Sequence, residues 1–289
     1  MKTKTGKLFL IYFAAAIVIA SVIRFFQYVT IIDYRTGFFA MGSEAAGMLI
    51  YIVLAVLGAG LIGLTVFGYK KNWTALTVSS DGMGSKATLI LGVAYLLAAA
   101  VGVLNAVNLN GAGLFRAVSC WAFAVSLGAL GLCLMKSTVP PMVTGFINLF
   151  PALYFFMLAT ELFTNDLVVK NRSDSLIVLL TYVFGTLFFA SGARFLARLE
   201  TKLSRSREII TGGLAFIFSA VHVLSKVLAF AFGGDAIRGM DGISAGAIML
   251  MIISGGFLIT ICTTRQHKEI DYLLPEKKED KDKDENEEE

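Results

Sequence analysis

The sequence predicts an all-α integral membrane protein, an eight-span bundle of transmembrane helices with both termini in the cytoplasm. Three observations lead to this prediction. Hydrophobic residues make up 56% of the 289 residues and charged residues only 16%, whereas soluble domains carry about 25% charged residues. Eight long segments are nearly free of charge. The cations outside these segments collect on alternate connections, which is the pattern of a polytopic membrane protein.

The eight apolar segments are long enough to cross a bilayer, because a helix needs about 20 apolar residues to span the hydrocarbon core. Helices also satisfy every backbone N–H and C=O internally, as lipid requires. The predicted spans are residues 8–32, 46–68, 87–109, 114–135, 141–164, 175–197, 208–232 and 242–262. Pro151 is predicted to kink the fifth span, because proline has no amide proton and crowds the carbonyl of residue i−4.

The distribution of Lys and Arg orients the predicted bundle. Eighteen cations flank the spans on one side and four on the other. Because cytoplasmic loops carry the excess of cations, both termini are predicted to be cytoplasmic. The short loops favour a plasma membrane of bacterial type.

A basic stretch extends the sixth span on the cytoplasmic side. It contains Arg194, Arg198, Lys202, Arg205 and Arg207. Each cation near a membrane surface gains about 1 kcal/mol from anionic lipid. The stretch is therefore predicted to meet anionic lipid headgroups as well as to fix the topology.

The chain divides into a transmembrane helical domain, residues 1–268, and a charged cytoplasmic tail, residues 269–289. From Glu276 to Glu289, nine acidic residues and four lysines leave a charge of −5, with no apolar residue among them. Such a segment cannot bury enough apolar surface to fold, so the tail is predicted to be disordered.

The sequence lacks the motifs that bind phosphates or catalytic metals, so it predicts no cofactor, no metal site and no nucleic-acid partner. There is no phosphate-binding G-x-x-x-x-G-K-[ST] and no H-E-x-x-H. Gly242–Gly246 fits G-x-S-x-G around Ser244, but the strand that should precede such a serine is absent. No catalytic residue is predicted. An enzyme built on Glu161, His222 and Ser244 is the least supported alternative.

Ionisable groups inside the predicted spans are the candidate functional residues, because such groups are costly in lipid and by default mark function. They are Arg24, Arg116, Glu161, His222 and Lys226, all in the outer half of the membrane by the predicted orientation. Helical spacing places Gln27 on the face of Arg24, and the third span adds Asn105.

These side chains are predicted to converge in an outward-opening polar vestibule. Its three fixed cations against one carboxylate favour an anion such as a carboxylate, a phosphate or a lipid headgroup. The substrate-binding hypothesis comprises Arg24, Gln27, Asn105, Arg116, Glu161, His222 and Lys226. The alternative for the cations is that they extend to the membrane surface or pair structurally with Glu161.

The predicted function is a small-solute or anion transporter, or the membrane subunit of one. The alternative is a non-catalytic membrane sensor, scaffold or envelope-assembly protein. A polar residue recurs in the outer part of each odd span, at Arg24, Asn105, Glu161 and Lys226. This recurrence suggests either four helical-hairpin repeats or two parallel four-span halves, and internal repeats are common among transporters.

Overall fold

The structure is a computed structural model that describes residues 3–33, 38–70, 85–109, 114–136, 140–166, 173–197, 199, 204–233 and 242–263. The helices in these ranges are α1 (Thr3–Thr30), α2 (Glu44–Lys70), α3 (Ser85–Asn108), α4 (Leu114–Lys136), α5 (Pro141–Ile147), α6 (Leu149–Asp166), α7 (Ser173–Leu196), α8 (Ser204–Phe232) and α9 (Ala245–Thr263). Two short strands, β1 (Ile32–Asp33) and β2 (Phe38–Phe39), pair antiparallel after α1.

Within the described residues, seven helical segments are long and apolar enough to cross a membrane. They are Lys7–Thr30, Ala45–Gly68, Leu89–Asn108, Leu114–Met135, Met142–Thr164, Asp174–Leu196 and Ser206–Phe232. The prediction of a polytopic, all-α membrane protein is confirmed at this level. The apolar part of α9, Ala245–Thr260, is shorter than these seven. The predicted tail, residues 269–289, lies outside the described residues.

The outer surface of the bundle is apolar. Large hydrophobic side chains are exposed along α1, among them Ile11, Val18 and Phe26, and the same holds for Val56 on α2 and Leu104 on α3. Soluble monomers rarely expose apolar patches larger than a few hundred Å². This surface is suited to hydrocarbon, so the chain contacts the lipid bilayer.

The last helix occupies the centre of the bundle. α9 packs against α1, α3, α7 and α8, and its side chains are hydrophobic around the whole helix. Ala247, Met249, Leu250 and Ile253 are completely buried. A helix that is apolar all round and packed by others belongs to the core.

Successive helices run up and down the bundle. Phe184 of α7 stacks on Phe218 of α8, while Asp174 near the start of α7 meets Lys226 near the end of α8. The two helices are therefore antiparallel. The same reasoning applies to α3 and α4, where Gly92 faces Gly131. As a result, the end of α1, the start of α7 and the end of α8 meet at one end of the bundle.

The predicted kink in the fifth span lies at an interruption of one residue, Asn148, whose backbone stays in the right-handed helical region. α5 ends at Ile147 and α6 begins at Leu149, with Asn148 as a turn residue between them. Pro151 has no amide proton to donate to the carbonyl of Ile147, four residues earlier. That carbonyl lies at the end of α5. The break brings the polar side chain of Asn148 into the bundle, where it is buried.

The close approach of α3 and α4 depends on two glycines. A Cβ built on Gly131 would lie 2.9 Å from the carbonyl oxygen of Gly92, and a Cβ on Gly92 would lie 3.0 Å from the carbonyl oxygen of Gly131. Small residues allow helix backbones to touch in this way. Backbone cannot move aside as a flexible side chain can, so either methyl group would push the helices apart.

We expect Gly131→Ala to lower the free energy of unfolding by about 1–3 kcal/mol, the range for overpacking a well-packed interior. The thermal unfolding midpoint of the purified protein in detergent measures the change. Gly63→Ala in α2 is the matched control, because a Cβ there meets nothing within 4 Å. That variant should be neutral or slightly more stable, since alanine favours helix over glycine. Equal effects of the two substitutions would contradict the close-contact interpretation.

Candidate functional site

Arg24 is the most deeply buried cation that the structure describes near this end of the bundle. It lies six residues before the end of α1, and its side chain has 0% exposure. Its Nη2 donates to Asp174 Oδ1 at 2.7 Å and its Nη1 to Gln27 Oε1 at 3.0 Å. The guanidinium carbon lies 4.7 Å from the ring centroid of Tyr28. The predicted i, i+3, i+4 face of Arg24, Gln27 and Tyr28 is thus one contacting group.

Asp174 joins two helices to this group. It lies in the first turn of α7, where a carboxylate is favoured by the helix dipole. Its Oδ1 accepts the bond from Arg24 and a hydrogen bond from the hydroxyl of Tyr28. Its Oδ2 lies 3.1 Å from Lys226 Nζ, and its side chain is 24% exposed. One carboxylate therefore bridges a cation of α1 and a cation of α8.

Lys226 is also enclosed by protein, with 2% side-chain exposure. Besides the ion pair with Asp174, its Nζ donates to the backbone carbonyl of Gly242 at 3.2 Å. Gly242 belongs to the segment that leads into α9. The ammonium group therefore connects α7, α8 and the approach to α9.

His222 lies one turn before Lys226 and is buried. Neither of its ring nitrogens has a hydrogen-bond partner among the described residues. The charges of Lys226, Asp174 and Arg24 all act on this ring. An imidazole always has at least one donor to offer, and buried polar groups are normally hydrogen-bonded. His222 thus leaves hydrogen-bonding capacity unused beside the charged groups.

We call Arg24, Gln27, Tyr28, Asp174, His222 and Lys226 the Asp174 cluster. Its amide member, Gln27, also donates to the carbonyls of Ala46 and Gly47 at the start of α2. The cluster therefore links α1, α2, α7 and α8. Its described ion pairs set two cations, Arg24 and Lys226, against one carboxylate.

Arg116 and Glu161 form a separate ion pair. Arg116 Nη1 lies 3.0 Å from Glu161 Oε1, and their side chains are 49% and 33% exposed. Exposed pairs of this kind contribute about 0–1 kcal/mol. Among the described residues, no hydrogen bond or ion pair joins either side chain to the Asp174 cluster.

Asn105 also lies apart from the cluster in its contacts. Its Nδ2 donates to Cys120 Sγ at 3.3 Å, and the hydroxyl of Tyr154 approaches the same sulfur at 3.7 Å. The ring of Tyr154 stacks on Phe123, with the centroids 4.1 Å apart. Asn105 thus belongs to a packed contact between α3, α4 and α6.

The seven sequence-predicted site residues therefore fall into three groups. Arg24, Gln27, His222 and Lys226 come together in the Asp174 cluster. Arg116 pairs with Glu161, and Asn105 meets Cys120. Sequence analysis missed Asp174, which it left at the edge of a loop. The run Ser173-Asp174-Ser175, typical of a helix start with an acidic first turn, is the signal that could have identified it.

The basic stretch is described only in part. Arg194 at the end of α7 and Arg207 in the first turns of α8 are exposed. Arg198 and Lys202 lie outside the described residues, and the side chain of Arg205 does as well. The two described cations flank the connection between α7 and α8, at the end of the bundle opposite the Asp174 cluster.

Ser244, the serine of the G-x-S-x-G pattern, begins α9. Its hydroxyl lies 2.6 Å from the hydroxyl of Tyr182 and accepts a hydrogen bond from the backbone N–H of Ala247 at 3.3 Å. The second contact is the N-cap interaction that serine commonly makes. In the described part of the chain no hydrogen bond joins Ser244 to His222. The contacts of this serine are those of a helix cap.

Comparison of the chain with protein-family models, with curated proteins and with solved structures finds no match.

Proposed function

We propose that this polytopic membrane protein is a permease, or the membrane subunit of one, that binds a small anionic solute at the Asp174 cluster. One observation carries the proposal: two cations that are almost completely buried, Arg24 and Lys226, share the single carboxylate of Asp174.

The energetic argument starts from desolvation. Removing an ion from water costs several kcal/mol even after the protein relaxes, and well-packed hydrophobic residues can often replace a buried ion pair at no cost. A buried cluster of charges is therefore a poor device for stability alone. Ionisable residues within membrane spans more often line a substrate or ion path.

The donors of the cluster suit an oxyanion. A guanidinium presents a planar fork that matches carboxylate and phosphate geometry, and an ammonium adds a compact point charge. The unused ring nitrogens of His222 supply a further hydrogen-bonding position beside these cations. The substrate class that fits best is a small carboxylate or phosphate.

In this proposal an anion enters the cluster at Asp174. Its side chain retains 24% exposure, whereas Arg24 and Lys226 retain 0% and 2%. An anion that arrives from this end of the bundle meets Asp174 first and competes with it for the two cations. In this proposal Asp174 occupies the anion position when no solute is bound.

The proposal includes the arrangement in the membrane. The bias of Lys and Arg favours eight spans, with α9 as the eighth, and an N-in/C-in orientation in the plasma membrane. The Asp174 cluster then faces outward, and the stretch from Arg194 to Arg207 faces anionic lipid headgroups of the inner leaflet. Hairpin pairs such as α3 with α4 and α7 with α8 are consistent with a repeat.

Thermal unfolding of the purified protein in detergent tests the binding proposal. Phosphate, sulfate, acetate and short dicarboxylates are added at equal ionic strength, with chloride as the reference. At least one oxyanion should raise the midpoint by roughly 3 °C, the shift expected for a ligand at about ten times its Kd. If all of them act as chloride does, the transport proposal loses its basis. The non-catalytic scaffold then becomes the better interpretation.

A further inference from the structure

We propose that Glu208 forms a second site, one that binds a monovalent cation, either a proton or a sodium ion. The site lies at the end of the bundle opposite the Asp174 cluster, near the start of α8. It goes beyond the anion permease proposed above and does not depend on it. Either ligand, the proton or the sodium ion, would neutralise the buried carboxylate of Glu208.

The oxygen atoms around Glu208 carry the first step of the argument. Glu208 is fully buried, and the hydroxyl of Ser191 on α7 hydrogen-bonds to its Oε2. Ser191 Oγ in turn lies 3.1 Å from Thr211 Oγ1. A carboxylate with two hydroxyls is a set of hard oxygen ligands, the kind that cations such as sodium and magnesium prefer over nitrogen or sulfur.

The two hydroxyls can direct their hydrogens away from the site. Ser191 lies within donating distance of the carbonyl of Phe188, at 3.1 Å, and Thr211 of the carbonyl of Arg207, at 2.9 Å. When each hydroxyl donates to its backbone carbonyl, its lone pairs remain for a cation or for the proton of a neutral Glu208. The local backbone therefore prepares the hydroxyls as acceptors.

Charge supplies the second step. Among the described residues no cation pairs with Glu208. The described groups around it are neutral: the hydroxyl of Ser191, the amide of Asn148 and, bonded to that amide, the hydroxyl of Tyr95 on α3. Arg194 and Arg207, the described cations nearest in sequence, are exposed. A buried carboxylate without a counter-charge is costly, and a bound monovalent cation removes that cost.

The third step is the close packing beside the carboxylate. A Cβ built on Gly192 would lie 2.9 Å from Glu208 Oε1 and 3.0 Å from Asn148 Nδ2. A methyl group there would crowd both atoms, so the glycine allows these two side chains to lie directly against the backbone of α7. Asn148 is held there by Tyr95, which donates to its Oδ1 at 3.1 Å, and by its own bond to the carbonyl of Phe189 at 2.9 Å. Asn148 is the single residue between α5 and α6.

The test measures the thermal unfolding midpoint of the purified full-length chain in detergent, without any added oxyanion. One series replaces choline chloride by sodium chloride at constant pH. The other lowers the pH in sodium-free choline chloride. We expect the midpoint of the wild-type protein to rise by roughly 3 °C in one of the two series, as for a ligand at about ten times its Kd.

Glu208→Gln should abolish that response, because the amide is neutral without a cation. Glu161→Gln, which changes an exposed carboxylate, should retain it. Gly192→Ala keeps the carboxyl group of Glu208 but places a methyl group 2.9 Å from its Oε1, so it should weaken the response even if Glu208→Gln folds poorly. Ser191→Ala should shift a sodium response to about tenfold higher concentration.

A response to sodium assigns the site to sodium, and a response to pH that disappears in Glu208→Gln assigns it to a proton. The proposal is overturned if the wild-type midpoint changes with neither sodium nor pH, or if Glu208→Gln responds as the wild type does. Because oxyanions are absent from these samples, failure here leaves the anion site untouched, and failure of the anion panel leaves this site untouched.

Discussion

Asp174→Ala is expected to lower the free energy of unfolding by about 3–5 kcal/mol, the range for removing one partner of a buried ion pair. The substitution deletes the one carboxylate that the described contacts set against Arg24 and Lys226. Two buried cations then repel each other across the contact between α1 and α8. It also removes the acceptor of the Tyr28 hydroxyl, so several groups lose a bond together.

Glu161→Ala is the matched control for this experiment. It removes a carboxylate that pairs with an arginine at 3.0 Å, the same chemistry in a more exposed place. We expect it to change the free energy of unfolding by about 1 kcal/mol or less. Thermal unfolding in detergent compares the two variants directly. If Asp174→Ala is no more destabilising than Glu161→Ala, the ion pairs of the Asp174 cluster contribute no more than exposed ones.

Two rescue experiments distinguish the loss of charge balance from a general loss of stability. Lys226→Met in the Asp174→Ala background removes the second cation and should recover part of the lost stability. Acetate should do the same for the single variant, because its carboxylate can take the vacated position between the cations. Chloride at equal ionic strength should recover much less. Absence of both rescues would contradict the role given to Asp174.

The class of the protein and the location of its main cations could be predicted from sequence. Hydrocarbon imposes long uncharged helices, so composition and segment length reveal the spans directly. Arg24 and Lys226 stand deep inside such segments, and their depth alone marked them as candidates. The interruption near Pro151 could also be predicted, because the amide proton that proline lacks and the carbonyl that it crowds lie within one helical turn.

The partners of these cations could not be predicted, and the reason is physical. A span in lipid is apolar around its whole circumference, so hydrophobic periodicity does not reveal which face packs inward. Arg24 and Asp174 are 150 residues apart, and the packing of both α1 and α7 on α8 brings them together. Arg116 and Glu161 share the predicted depth, but α4 and α6 pair them with each other.

Carboxylates at span ends were missed for a related reason. Asp174 and Glu208 each stand at the boundary of a predicted span, where a charge is ordinarily assigned to water or headgroups. In the structure the bundle encloses Glu208 completely and leaves Asp174 only 24% exposed. Neighbouring helices, not distance along the span, decide whether such a residue is buried.

Arg24→Met is expected to lower the affinity for an oxyanion more than the stability, whereas Asp174→Ala is expected mainly to lower the stability. The substitution removes one cation and leaves Asp174 paired with Lys226 and Tyr28. The remaining pair is balanced, so the free energy of unfolding should fall by about 1–2 kcal/mol, close to the typical effect of a point mutation. The cluster loses one of its two cations and the guanidinium fork. Affinity for an oxyanion should therefore fall by about 100-fold, equivalent to about 2.7 kcal/mol and within the range for a hydrogen bond to a charged group.

The measurement titrates the thermal midpoint of each variant with the oxyanion that most stabilises the wild-type protein. Uptake of the same anion into proteoliposomes provides an independent readout. Arg24→Lys is the conservative variant, and it should bind more weakly than the wild type but better than Arg24→Met, because lysine keeps the charge without the fork. Asp174→Ala should bind acetate more tightly than the wild type, since the internal competitor is gone.

The two substitutions together distinguish a binding site from a structural contact. A purely structural ion pair loses stability whichever partner is removed, and oxyanions do not tell the variants apart. In a binding site the cation governs affinity and the carboxylate governs stability in the absence of solute. If Arg24→Met and Asp174→Ala are equally unstable, and neither changes the response to oxyanions, the Asp174 cluster joins the helices and does not bind solute.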